Sequence, residues 1–246
     1  MTDIEYLKKY LTEDKLEAGL KRLEKGEPVQ YIVGNVDFYG LIFNVNPCVL
    51  IPRFETEELV SKAIDYIKKF FNYPINCVDL GTGSGCIAVT LKSKIGENIT
   101  MDAVDISGDA LKVAQENASN NNVDITFYHG DMLDPLNKKY DVIISNPPYI
   151  RKDEEIMNIV KNNEPSIALY ADNEGLANYE KVLSCASNYL KERSMIAFEI
   201  GWWQADRVTT IAKKYFPNSI ISVEKDMQER DRFIFIFNNW YLLKSG

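Results

Sequence analysis

A chain of 246 residues that is 46% hydrophobic is long enough for one large α/β domain with a small appendage and too apolar to stay disordered. Its formal charge of −8, with no dense basic cluster, favours a protein substrate and predicts no direct nucleic-acid partner, since binders of duplex DNA or ribosomal RNA carry a basic face. No run reaches the ~18 apolar residues that span a bilayer, the charged opening is unlike a signal peptide, and scattered cysteines beside the single His129 predict a cytoplasmic protein with reduced thiols, no zinc site and no membrane partner.

Residues 3–25 predict two short helices sharing an apolar face of Leu16, Leu20 and Leu23. Residues 36–45 alternate about Tyr39-Gly40 and predict a hairpin. From residue 55 to 71 the stripe Leu59, Ala63, Tyr66, Ile67 and Phe70 has helical spacing, with Thr56 suited to its start and Pro74 enforcing its end. Beyond Ile75 strands and helices alternate, with strands expected at 75–80, 99–104, 125–128, 140–145, 195–200 and 233–237. Ser107 is placed to cap the helix after Asp105. That alternation predicts a doubly wound parallel sheet, whose ligands bind outside the carboxyl ends of its strands.

Four strand ends carry chemistry. The first runs into Gly81-Thr82-Gly83-Ser84-Gly85 and a helix, which lets backbone amides approach a ligand at a helix N-terminus. Cys86 stands where a dinucleotide fingerprint needs glycine, which argues against NAD or FAD. The second ends in Asp105, an acid able to accept both hydroxyls of a ribose, and the third leads to Asp131-Met132. The fourth ends in Asn146-Pro147-Pro148-Tyr149. Here Asn146 offers a side-chain carbonyl and Pro147 a backbone carbonyl with no N–H to compete. Pro148 keeps Pro147 extended, and Tyr149 offers a flat face on which an amide or an exocyclic amine can stack.

These residues resemble a known family, the protein-glutamine N5-methyltransferases that modify peptide chain release factors (HemK/PrmC). The resemblance runs from about Glu27 almost to the end of the chain and includes Glu27-Pro28-Val29-Gln30-Tyr31, Ile51-Pro52-Arg53 with Glu55-Thr56-Glu57, Glu164-Pro165, and Glu199-Ile200-Gly201 with Gln204. The N-P-P-Y loop alone is shared with DNA adenine and RNA guanine methyltransferases; the Ile51-Pro52-Arg53 segment is more particular. Two departures stand out: fewer residues precede Glu27 than the N-terminal helical domain of the family needs, and Lys191-Glu192-Arg193-Ser194 replaces a turn where a Gly-Gly pair is common.

The resemblance implies a Rossmann-like class I methyltransferase sheet over residues 55–246, preceded by a short helical segment (1–26) and a linker with a β-hairpin (27–54). It implies S-adenosylmethionine as cofactor, held by Gly81, Thr82, Gly83, Ser84, Gly85, Asp105, Asp131, Met132 and Asn146. The acceptor is then the glutamine of the Gly-Gly-Gln motif of class I release factors, bound at Asn146, Pro147, Pro148 and Tyr149, with Asn146, Pro147 and Tyr149 catalytic. Arg53 and Glu55 are read either as substrate-side residues or as a surface ion pair, Glu199 as a cap on nearby amides, Trp202 and Trp203 as packing residues, and His129 as a strand residue without catalytic duty. The competing readings are methyl transfer to an exocyclic amine of adenine or guanine, and a non-catalytic adaptor on the same scaffold.

Overall fold

Successive residues of a strand point to opposite faces, so strands apolar at nearly every position need a core on both sides. The computed structural model, which describes residues 2–239, meets that demand. In chain order it comprises helices α1 (Asp3–Tyr10), α2 (Glu13–Glu24) and α3 (Val29–Val33), the hairpin β1 (Asn35–Phe38) and β2 (Leu41–Asn44), and α4 (Phe54–Phe70). Then come β3 (Ile75–Leu80), α5 (Cys86–Ile95), β4 (Ile99–Asp105), α6 (Gly108–Asn120), β5 (Thr126–His129) and β6 (Tyr140–Ser145). The short β7 (Ile150–Arg151) and β8 (Tyr170–Ala171) pair with each other, and β9 (Leu190–Glu199), β10 (Ile220–Lys225) and β11 (Asp231–Asn238) complete the main sheet.

That sheet has seven strands in the order β10-β11-β9-β6-β3-β4-β5. Along β11, Phe233, Phe235 and Phe237 enter one core with α4, α5 and α6, while Ile234 and Ile236 enter the other. The helices Ala177–Cys185 and Ala205–Tyr215 cover that second face through Tyr179, Val182, Val208 and Ala212, all fully buried. The predicted stripe of α4 buries Leu59, Ala63 and Ile67, with Tyr66 and Phe70 at its margin. Among the described residues no helix is long and apolar enough to cross a membrane.

The fully parallel sheet expected from the alternation is corrected at one edge. The pairs β3/β4, β3/β6, β4/β5 and β6/β9 are parallel, but β11 runs antiparallel to both β9 and β10. A tight turn joins β10 to β11, with Asp226 Oδ1 accepting from the amides of Gln228 and Arg230, so no crossover helix intervenes and the strands must reverse. The segment 191–194 is the start of β9, not a turn.

At the N-terminus a Thr2–Glu5 capping box starts α1, and Leu7, Val29 and Ile32 form a small cluster on which Leu16, Leu20 and Leu23 pack. The hairpin turns at Tyr39-Gly40 as predicted, both residues having positive φ, and its Phe38 and Phe43 share the core of α4 and α5. Asn117 of α6, wholly buried, binds it from below: Oδ1 accepts from the Asn44 amide at 2.7 Å, and Nδ2 donates to the carbonyls of Asn44 and Ser84, each at 2.9 Å.

From β3 the chain steps outward to β4 and β5, then returns to place β6 on the other side of β3. Strand order therefore reverses between β3 and β6, and a crevice opens at their carboxyl ends. The glycine loop follows one of those ends and Asn146 the other.

Candidate active site

Two cavities meet at that crevice. The first, of about 280 Å³, is lined by Gly81, Thr82, Gly83, Ser84, Asp105, Asp131 and Met132, together with Thr56, Asn146 and Pro148. The second, of about 670 Å³, is lined by Asn146, Pro147, Pro148 and Tyr149, with Arg53, Glu164, Met157 and Glu199 around them. Asn146 and Pro148 belong to both linings and form the wall between them. Of the residues expected at the cofactor, Gly85 alone lies outside the first cavity's lining. It begins α5 at φ +81, where an added Cβ would stand 3.1 Å from the Ala114 Cβ, so this glycine serves helix packing.

The first cavity suits S-adenosylmethionine. An added Cβ at Gly81 or Gly83 meets nothing within 4 Å, so the loop leaves room for a ligand against its backbone. Asp105 ends β4 with Oδ2 accepting from the Gly83 amide and Oδ1 from the Ser107 amide, each at 2.8 Å. Burial raises the pKa of Asp105 above the ordinary aspartate range, while those amide bonds pull it back. Each oxygen still has a lone pair for a ribose hydroxyl. Beneath the loop Asp79 is wholly buried, and its Oδ2 takes the Thr82 hydroxyl at 2.6 Å. Burial pushes Asp79 up to about 7. Through the Thr82 hydroxyl this buried acid holds the glycine loop from behind, leaving the loop's open backbone face to the ligand. Asp131 is joined to Lys181 at 2.8 Å, and His129 Nε2 lies 2.9 Å from the Ile106 carbonyl, steadying the turn after Asp105.

The N-P-P-Y loop is clamped at every carbonyl but one beyond Asn146. Asn178 Nδ2 donates to the Pro148 carbonyl at 2.9 Å, and Gln204 Nε2 donates to the carbonyls of Tyr149 and Gly175, each at 3.2 Å. Gly175 is needed for that approach: at φ +81, an added Cβ would lie 2.1 Å from the Tyr149 carbonyl oxygen. The Pro147 carbonyl and Asn146 Oδ1 have no protein donor among the described residues. Asn146 Nδ2 donates to Thr56 Oγ1 at 3.0 Å, and the Thr56 hydroxyl donates to Glu199 Oε2 at 2.7 Å. The loop thus leaves two acceptors unpartnered on residues that line the second cavity. That is the pattern a primary amide or an exocyclic amine, with two N–H donors, requires.

Several expectations change here. Glu199 does not cap amides: its carboxylate, 2% exposed, holds the Thr56 hydroxyl, and burial pushes it up to about 7. Arg53 pairs not with Glu55 but with the buried Glu164, whose other oxygen accepts from the Ile51 amide at 3.3 Å. Sequence reasoning missed Thr56, Glu164, Gly175, Asn178 and Gln204 as supports of the site; Thr56, Glu164 and Gln204 at least stood in the family-like segments, whereas Asn178 carried no signal. Trp202 and Trp203 stack edge to face at 5.6 Å on the surface and line neither cavity.

A switch-point crevice with a glycine loop, an acid after the second strand and an N-P-P-Y loop between two cavities defines a Rossmann-like methyltransferase that draws on S-adenosylmethionine. A model of the methyltransferase small domain matches residues 66–163. The release factor glutamine methyltransferase of Lactococcus lactis is 42% identical over 216 residues, taking in 87% of this chain and 78% of that protein. Its Bacillus subtilis counterpart is 40% identical over 238 residues, 93% of this chain and 82% of that one. Among solved structures, the release factor-specific protein-(glutamine-N5) methyltransferase of Alicyclobacillus acidocaldarius superposes with a TM-score of 0.50 at 27% identity, covering 80% of this chain and 99% of that one. The chain belongs to the release factor glutamine methyltransferase family.

Proposed function

We propose that this protein methylates the side-chain amide nitrogen of the glutamine in the Gly-Gly-Gln motif of class I peptide chain release factors. The observation that carries this reading is that Asn146 and Pro147, side by side in the lining of the larger cavity, keep two acceptors without a protein donor among the described residues. When bound, S-adenosylmethionine supplies an electrophilic methyl on a positively charged sulfur. An amide nitrogen is a poor nucleophile because its lone pair is shared with its carbonyl. Asn146 Oδ1 and the Pro147 carbonyl can each accept one of its N–H bonds, which fixes the nitrogen and makes it more electron-rich as positive charge develops. The nitrogen takes the methyl and then gives one proton to water, so no strong base is required. Tyr149 flanks the same space and offers its ring to the planar amide. Such a substrate places the protein in the cytoplasm, where translation ends.

The test is methyl transfer from labelled S-adenosylmethionine to a purified release factor, beside the form with Gln→Ala in its Gly-Gly-Gln motif. Label on the unaltered factor alone is the expected result. Equal label on both forms, or transfer only to nucleic acid, would overturn the reading in favour of another acceptor.

A further inference from the structure

We propose that Thr56 and Glu199 are positioning residues for the transfer: the Glu199 carboxylate accepts the hydrogen bond of the Thr56 hydroxyl, which leaves the Thr56 oxygen to accept from Asn146 Nδ2 and so turns Asn146 Oδ1 toward the acceptor nitrogen. This role rests on Asn146 being the acceptor's hydrogen-bond partner. The three side chains come from the first turn of α4, the end of β9 and the loop after β6, and they meet at 3.0 and 2.7 Å. Thr56 is 3% exposed and Glu199 2%, so both are largely shielded from bulk water.

The chemistry of the chain of bonds gives it a direction. The two ends of an asparagine amide have nearly the same shape, and only their partners distinguish oxygen from nitrogen. An ionised carboxylate can only accept. Threonine has a single hydroxyl hydrogen, and once that hydrogen points to Glu199 its oxygen can only accept from Asn146. The buried end of the relay therefore decides which atom Asn146 shows to the substrate. With Oδ1 outward, an amide N–H finds an acceptor; with Nδ2 outward, two donors would face each other.

The relay is sensitive to protonation. Around Glu199 stand Arg232 of β11, Arg53 and Glu55 at the start of α4, Tyr149 of the loop after β6, Cys86 of α5, and Tyr179 of the helix over the second face. Burial is the largest influence and raises Glu199 to about 7, with the Thr56 hydrogen bond and both arginines opposing it. Protonated Glu199 can donate to the Thr56 oxygen. The hydroxyl hydrogen is then free for Asn146, which can receive it only with its amide turned over. The productive orientation is thus held above about pH 7 and lost as pH falls through that value.

The full chain tests this with two substitutions. Thr56→Val keeps the branched shape and removes the hydroxyl, whereas Thr56→Ser keeps the hydroxyl. Thr56→Val should lower kcat for release-factor methylation by about 10–100-fold, with the KM for S-adenosylmethionine within about two-fold, and should erase the acid limb of the kcat–pH profile near neutrality. Thr56→Ser should restore most of the turnover and the limb. A Thr56→Val protein with unaltered kcat and an unaltered limb would overturn the proposal. A second measurement needs no acceptor: the Asn146 side-chain amide pair in a ¹H–¹⁵N spectrum, assigned by its loss in Asn146→Ala, should titrate near neutral pH in the unaltered protein and stay fixed in Glu199→Gln. A pair that does not move in the unaltered protein overturns the relay. A pair that moves, in a protein that labels no release factor, upholds the relay and removes the glutamine assignment instead.

Discussion

The Arg53 guanidinium and the Glu164 carboxylate meet at 2.5 Å across 111 residues of chain, and Glu164 also holds the Ile51 amide. This one carboxylate fastens the segment before α4 to the far wall of the larger cavity. Glu164→Ala leaves a guanidinium and a buried amide without their partner. It should cost about 2–3 kcal/mol in urea denaturation and raise the KM for the release factor. Unchanged stability would show that water replaces the carboxylate at both donors.

Asp105 is the proposed ribose acceptor of the cofactor site. Asp105→Ala removes an acceptor for the ribose and for the Gly83 and Ser107 amides. Calorimetry should show S-adenosylmethionine binding weakened by about 10–100-fold, the value of one or two hydrogen bonds to a charged group.

For Asn146 the expectation is the reverse: chemistry lost, cofactor kept. Asn146→Ala should lower kcat by about 10²–10³-fold, the usual cost of removing one group that stabilises developing charge, while the cofactor dissociation constant moves little. Normal turnover in a folded Asn146→Ala protein would contradict the role given to this side chain.

Gly175 sits outside the N-P-P-Y loop yet determines its path. Gly175→Ala combines a strained φ of +81 with a contact of 2.1 Å to the Tyr149 oxygen. The loop must move, so both the melting temperature and kcat should fall. The stability loss should be about 2–4 kcal/mol, and cofactor binding at the opposite side of the wall should be the least affected property.

Glu199 also leaves a signature in stability. Its carboxyl holds a proton up to about 7 in the fold, against an ordinary value of 4.5. Between those values the native state binds more protons than the unfolded chain, so this group makes stability fall as pH rises through that window. Glu199→Gln removes the titration. The variant should gain on the order of 3 kcal/mol relative to the parent between pH 4.5 and 7, and no more above it. A denaturation series across that range reads the difference directly.

What could be read from the sequence were features written in consecutive residues. The strand–glycine–helix unit, Asp105 after its strand and the N-P-P-Y loop each declare themselves within a few positions, and β3, β4 and β6 bring them together. The supports of the site were not legible, because they converge across the chain: Thr56 reaches Asn146 over 90 residues and Glu199 over 143. Arg53 illustrates the difficulty. Its near neighbour Glu55 looked like a local partner, but Arg53 is still extended where it precedes α4, and its partner Glu164 lies 111 residues along the chain. The antiparallel edge was hidden for a similar reason, since β10 is mostly half-exposed and lacks the apolar run that marks the inner strands.

Asn117 ties the hairpin to the glycine loop by hydrogen bonds as well as through their shared core. Its one amide holds Asn44 at the end of the hairpin and Ser84 in the glycine loop. A displacement of the hairpin at Asn44 therefore strains the bond to Ser84, and a displacement of Ser84 strains the bonds to Asn44. Such coupling is reciprocal: whatever factor a small molecule at the loop adds to the affinity for a large one at the hairpin, the large one adds to the affinity for the small.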